Sequence, residues 1–205
     1  MNLAEALDAS AELEQWLQAR ISTTSFSVDP GLSEPELDRI RMALALLDLV
    51  QELHRSTELL MRNTETGSAF TLLRATFESL VRAVWLFHSA GPTDVERYMD
   101  DKPPSIGTMM EALTKTPYGV WFHDMYKRSW AAMCSYAHGG FFHASYRITP
   151  YDIQPRYPEK AQVEVMHLAG SLALLSALEI AVICDNAELR AEAVARIKAW
   201  YQVTL

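Results

Sequence analysis

At 205 residues, 49% hydrophobic and 21% charged, the chain has the size and composition of one well-filled core and none of the polar, aromatic-poor profile of disorder. A net charge of −8 and a pI near 5.2 argue against a broad phosphate-binding face, which needs clustered Lys and Arg, so nucleic acid is disfavoured as a partner. Cys134 and Cys184 each fall in a helical pattern without a disulfide framework, which places the chain in a reducing, cytoplasmic compartment.

The start, MNLAEALDASAELEQWL, is acidic and amphipathic and lacks the basic and apolar regions of a secretory signal. Leu3, Leu7, Leu13 and Trp16/Leu17 give residues 2–20 a helical period, and a loop over 22–31 ends it. Ser33, Pro35 and Glu36 then form a capping-box start for a long helix over 35–62, carried by Leu37, Ile40, Leu44, Leu47 and Leu53. The polar break RNTETGS precedes a helix over 68–90, which the Gly-Pro pair at 91 and 92 stops.

Short helices near 93–100 and 105–114 lead into an aromatic-rich helix over 118–138 that should end at Gly139. YRITPYDIQPRYPEK, with three prolines and a weak strand pattern near Tyr146 to Ile153, reads as an extended loop across one end of a bundle. The most apolar helix, 159–184, has the stretch HLAGSLALLSALEIAVIC, short of the ~20 residues of a membrane span and carrying Glu179 in its apolar half. It is expected to be a buried core helix. A capping box at 185–188 starts a last helix through Leu189, Val194, Ile197 and Trp200/Tyr201.

The whole chain, 1–205, is thus expected to be a single all-α domain. Its architecture would be an up-and-down bundle of the four helices 35–62, 68–90, 118–138 and 159–184, with terminal and short helices outside. Trp16, Trp121 and Trp200 exceed what one bundle core must hold, and a homodimer is expected on that ground.

Chemistry concentrates in LLRATFESLVRAVWLFH. Arg74, Glu78 and Arg82 lie four residues apart on one face, beside the apolar stripe of Phe70, Leu73, Phe77, Leu80 and Val84. Two Arg to one Glu leave a positive charge that needs a protein carboxylate or a small anionic ligand. SYAHGG, from Ser135 to Gly140, offers a second polar group: His138 would close its helix, Gly139 would take the left-handed capping position, and Gly140 would permit close approach. Tyr136, His138, Gly139 and Gly140 therefore join Arg74, Glu78 and Arg82 as candidate ligand-binding residues, with His138, Arg74 and Glu78 the candidates for any catalysis.

No metal and no other cofactor is expected. His138 and His143 are five apart across two glycines, with no carboxylate beside them. No nucleophile elbow or phosphate-cradling glycine loop occurs. RAVWLFH, from Arg82 to His88, satisfies the Arg-x(4-6)-His pattern of HEPN ribonucleases, a match expected about once by chance in a chain with this many Arg and His. The residue after the Arg, polar in that family, is Ala83 here.

Taken together, Ser68, Ala69, Leu72, Leu73, Arg74, Glu78, Arg82 and Trp85, followed by Trp130, His138 and Gly140, resemble an uncharacterised bacterial all-helical family known as a domain of unknown function. The resemblance spans about residues 35–180 and implies that Arg74, Glu78, Arg82, Trp130, His138 and Gly140 form one shared feature; it implies no activity. Two functions are carried forward. The first is a binding or interaction module whose Arg/Glu/His seam is structural or takes a small anion. The second is a metal-independent HEPN-like ribonuclease or hydrolase with His138 as acid/base and Arg74 or Arg82 holding phosphate, which analogy would place in a phage-defence or toxin system.

Overall fold

The computed structural model describes residues 1–25, 31–116 and 119–204. Residue 118, the expected start of the aromatic helix, and residues 26–30 of the expected 22–31 loop lie outside the described residues. Among the described residues the chain is all-α: α1 (Leu3–Ile21), α2 (Glu34–Arg62), α3 (Thr66–His88), α4 (Pro92–Met99), α5 (Ile106–Leu113), α6 (Gly119–Ala137), α7 (Phe141–Ser145), α8 (Glu159–Ile183) and α9 (Ala187–Thr204). The extended pairing there is one isolated antiparallel bridge, Ile148 to Ile153.

Local chemistry sets the boundaries. The Glu36 carboxylate accepts from the Ser33 N–H and hydroxyl at the start of α2, and the Asn186 side chain accepts from the Leu189 N–H at the start of α9. The start of α3 departs from expectation. Gly67, placed by its sequence in a polar break, lies within the first turn of α3. A Cβ there would come within 2.6 Å of the Tyr157 hydroxyl and 2.7 Å of an Arg147 nitrogen, so the missing side chain makes room for the segment that closes over this end of the helix.

α2, α3 and α8 pack on one another; α1 lies on α8 and α2, α9 on α8, and α5 on α3. α6 packs on α3 and α5 but not closely on α8, so the expected bundle is open along that edge. One apolar core runs through these helices, with Phe70, Phe77, Leu47, Leu80, Met166 and Phe122 among its largest fully buried side chains. α8 is long and apolar enough to cross a membrane, yet 78% of its most apolar window is buried by the other helices, and its one acidic group inside that window, Glu179, meets His88 at 2.9 Å.

Two of the tryptophans held to be exposed are not. Trp16 is buried, its Nε1 donating to Glu192 at 2.9 Å under the Arg196 guanidinium. Trp200 stacks on His167 in the space left by Gly170, where any Cβ would overlap the indole. Those two side chains cover apolar surface within the chain and give no reason for a partner.

Candidate functional site

The charged face of α3 forms as the four-residue spacing requires. Arg74 Nε donates to Glu78 Oε1 at 2.7 Å and Arg82 Nη2 donates to Glu78 Oε2 at 2.6 Å, so one carboxylate joins two guanidiniums along the helix. The three side chains are 24%, 14% and 26% exposed in the order 74, 78, 82, so the seam lies at the border of core and solvent. Burial alone would push the Glu78 carboxyl up, but the hydrogen bonds and charges of Arg74 and Arg82 outweigh it and hold Glu78 below its ordinary value.

Arg74 is fixed from two further sides. Its guanidinium lies 5.0 Å from the centre of the Trp130 ring on α6, and Trp130 packs in turn on Tyr126 and Phe77. Arg74 Nη1 donates to His138 Nε2, which as an acceptor requires the ring proton to sit on Nδ1. The end of α6 thus meets the middle of α3 through an exposed histidine. On the far side of the seam Arg82 is close enough to oppose the effect of burial on the Tyr98 hydroxyl, which remains above its ordinary value.

Gly139 and Gly140 serve the turn. Gly139, at φ +64°, reverses the chain in open space, and the Gly140 N–H donates to the Ser135 carbonyl at 2.7 Å as in a Schellman ending. A Cβ on Gly140 would meet Ser135 Oγ at 2.6 Å; the close approach foreseen there is to α6 itself. Tyr136 also departs from expectation. Its ring packs edge-on against Phe70, away from the Arg74 contacts, and burial followed by a hydrogen bond with Tyr146 pushes its hydroxyl well up. Its carbonyl accepts from His143 Nδ1 at 2.8 Å and from the Thr71 hydroxyl of α3 at 3.4 Å. His138 and His143 thus have separate tasks. Among the described residues no three His, Cys, Asp or Glu side chains gather as a metal site would need.

The Arg82 to His88 motif does not converge. Arg82 is turned to Glu78 and His88 to Glu179, on different sides of α3. A triad-like cluster lies elsewhere: Ser10 Oγ is 3.0 Å from His54 Nε2, and His54 Nδ1 is 3.2 Å from Glu14 Oε2. Its order matches that of a nucleophile, base and orienting acid. Ser10 and His54 are wholly buried, and Ser10 stands in mid-helix, where the backbone N–H groups are engaged and no oxyanion could be received. The cluster is a polar clasp that holds α1 to α2. Ser10 and Glu14 lie one turn apart on α1, but His54 is 44 and 40 residues away from them, with no spacing that would mark the three in sequence.

With this geometry in hand, the chain can be placed: it belongs to DUF6988, a family of unknown function whose model matches residues 47–205. Membership in a domain-of-unknown-function family was expected. The matched stretch contains the entire seam and excludes α1, and with it Ser10 and Glu14 of the clasp. No curated protein and no solved structure matches the chain.

Proposed function

We propose that this member of DUF6988 is a binding module whose Arg74–Glu78–Arg82 seam takes a small anion. The observation that carries the reading is two guanidiniums sharing one carboxylate at a partly exposed face, which leaves one positive charge in excess. Glu78 and Trp130 hold Arg74 in place; Arg82 engages Glu78 through one terminal nitrogen, and its remaining N–H groups are the donors offered to a carboxylate or phosphate oxygen. Pre-ordering of this kind lowers the entropy lost on binding. The divergence of Arg82 and His88 removes the Arg-x(4-6)-His match as support for HEPN-like hydrolysis. The free cysteines Cys134 and Cys184 fit a cytoplasmic setting.

The test is thermal unfolding with inorganic phosphate, with acetate, and with sodium chloride at matched ionic strength. A ligand at ten times its Kd stabilises by about 1.4 kcal/mol, which for a chain of this length raises Tm by about 3–6 °C. Arg82→Gln should abolish the anion-specific shift. Equal shifts with chloride, or a shift unchanged in Arg82→Gln, would refute the proposal.

A further inference from the structure

The open edge between α6 and α8 is a groove of about 910 Å³. Trp121, Met125 and Met133 of α6 form one wall and Val165 and Leu168 of α8 the other, with Asp124 and Glu164 among the charged groups of its lining. It extends along α6 from Trp121 to Tyr136, roughly 22 Å at 1.5 Å per residue.

Where α6 ends, an apolar projection begins. α7 and the following hairpin expose Phe141, Phe142, Ile148, Tyr151 and Ile153, between 55% and 96% of each side chain's residue surface facing solvent. This is an ordered element. The Gln154 N–H donates to the Arg147 carbonyl and the Arg156 N–H to that of Tyr146, Thr149 and Asp152 close the turn, and Tyr146 and Tyr157 root it on Phe70 of α3. A rigid segment presenting five large apolar side chains marks an interaction surface rather than scattered surface hydrophobics.

We propose that two copies of the chain associate about a two-fold axis, the 141–153 projection of each seated in the α6–α8 groove of the other. Both halves of the contact belong to one chain and are present in equal number. The projection begins at the Tyr136 end of the groove, so one rotation brings each projection over its partner's groove and makes both contacts at once. Local charge favours the arrangement. Residues 141–156 hold Arg147 and Arg156 against Asp152, two positive and one negative, which gives +1 within a chain of net −8. They face a groove whose lining holds Asp124 and Glu164 against Arg128, two negative and one positive, with Lys160 3.9 Å from Glu164. An anionic membrane surface would instead meet a chain whose overall charge repels it.

The experiment is light scattering at micromolar concentration on three proteins: the wild type, Phe141→Asp/Tyr151→Asp, and Ala132→Glu, which puts a charged side chain into the groove wall. Circular dichroism checks that each is folded. The wild type should give twice the 23.1 kDa chain mass, and each variant should weaken the dimer at least about tenfold and scatter as a monomer. An equimolar mixture of the two variants restores one intact projection and groove per pair, so mass should reappear in the mixture alone. A monomeric wild type overturns the proposal, whether or not it sediments with phosphatidylserine vesicles. So does a dimer that survives either variant, or a mixture that remains monomeric.

Discussion

Removing the charge of Glu78 while keeping its shape isolates what the seam does for the fold. In Glu78→Gln both guanidiniums lose their counter-ion, and a neutral amide oxygen can accept from only one of them well. An exposed helical pair is worth about 0.3–0.5 kcal/mol, whereas unpairing a fully buried charge costs about 3–5 kcal/mol. With the arginines about a quarter exposed, the loss should lie between, at about 2 kcal/mol, or roughly 4–8 °C in Tm for a chain of this length. The pH dependence separates this from a packing defect. Because the folded carboxyl titrates below its unfolded value of 4.5, its contribution is full above that value and is lost as pH falls through the lower, folded one. Urea unfolding of both proteins at neutral pH and at about pH 3 should show the gap between wild type and variant narrowing in acid. A gap of the same size at both values, or none at neutral pH, would refute the reasoning.

Gly67→Ala should destabilise by about 1–3 kcal/mol in thermal unfolding, because its methyl must displace the Tyr157 hydroxyl and Arg147; a helix free of that segment would instead gain up to about 1 kcal/mol from the same change. His54→Ala should cost about 2–4 kcal/mol by leaving Ser10 and Glu14 buried without their shared partner, and a loss below about 0.5 kcal/mol in urea unfolding would show that the clasp does not hold α1.

The helices were legible because their signals are local. Periodicity, the Ser33 start and the Gly91-Pro92 stop each act within a few residues, and the elements follow them to within a residue or two, although the capping box expected over 185–188 gives way to Asn186 capping Leu189 one residue later. What failed depended on distant parts of the chain. Gly67 reads as a breaker until Tyr157, ninety residues later, is found against it. Trp16 and Trp200 read as surplus because what covers them, Arg196 with Glu192 in one case and Gly170 with His167 in the other, has no sequence relation to either. The open α6–α8 edge has no local signature either: both helices carry apolar stripes, and whether they meet is decided by where α3 and α5 hold α6.

The same division runs through the site. Arg74, Glu78 and Arg82 are one helix's business and were readable from spacing alone; the contact with His138 followed from charge, since an unbalanced seam needs polar company. The roles of Gly140 and Tyr136 were not readable, because a carbonyl accepting from His143 and a glycine pressed on Ser135 are backbone arrangements that any turn of that composition could make differently. One feature of the seam bears on the proposed binding. Replacing such an ionic cluster with Leu or Met is often neutral or stabilising, so joining α6 to α3 does not by itself call for three charges where Phe77, Tyr126 and Trp130 already pack. A second acid would have been the simplest means of neutralising the excess. The chain instead sets the His138 ring nitrogen against Arg74, and among the described residues no second carboxylate pairs with Arg74 or Arg82, an arrangement that support of the fold does not require and on which the proposed anion binding rests.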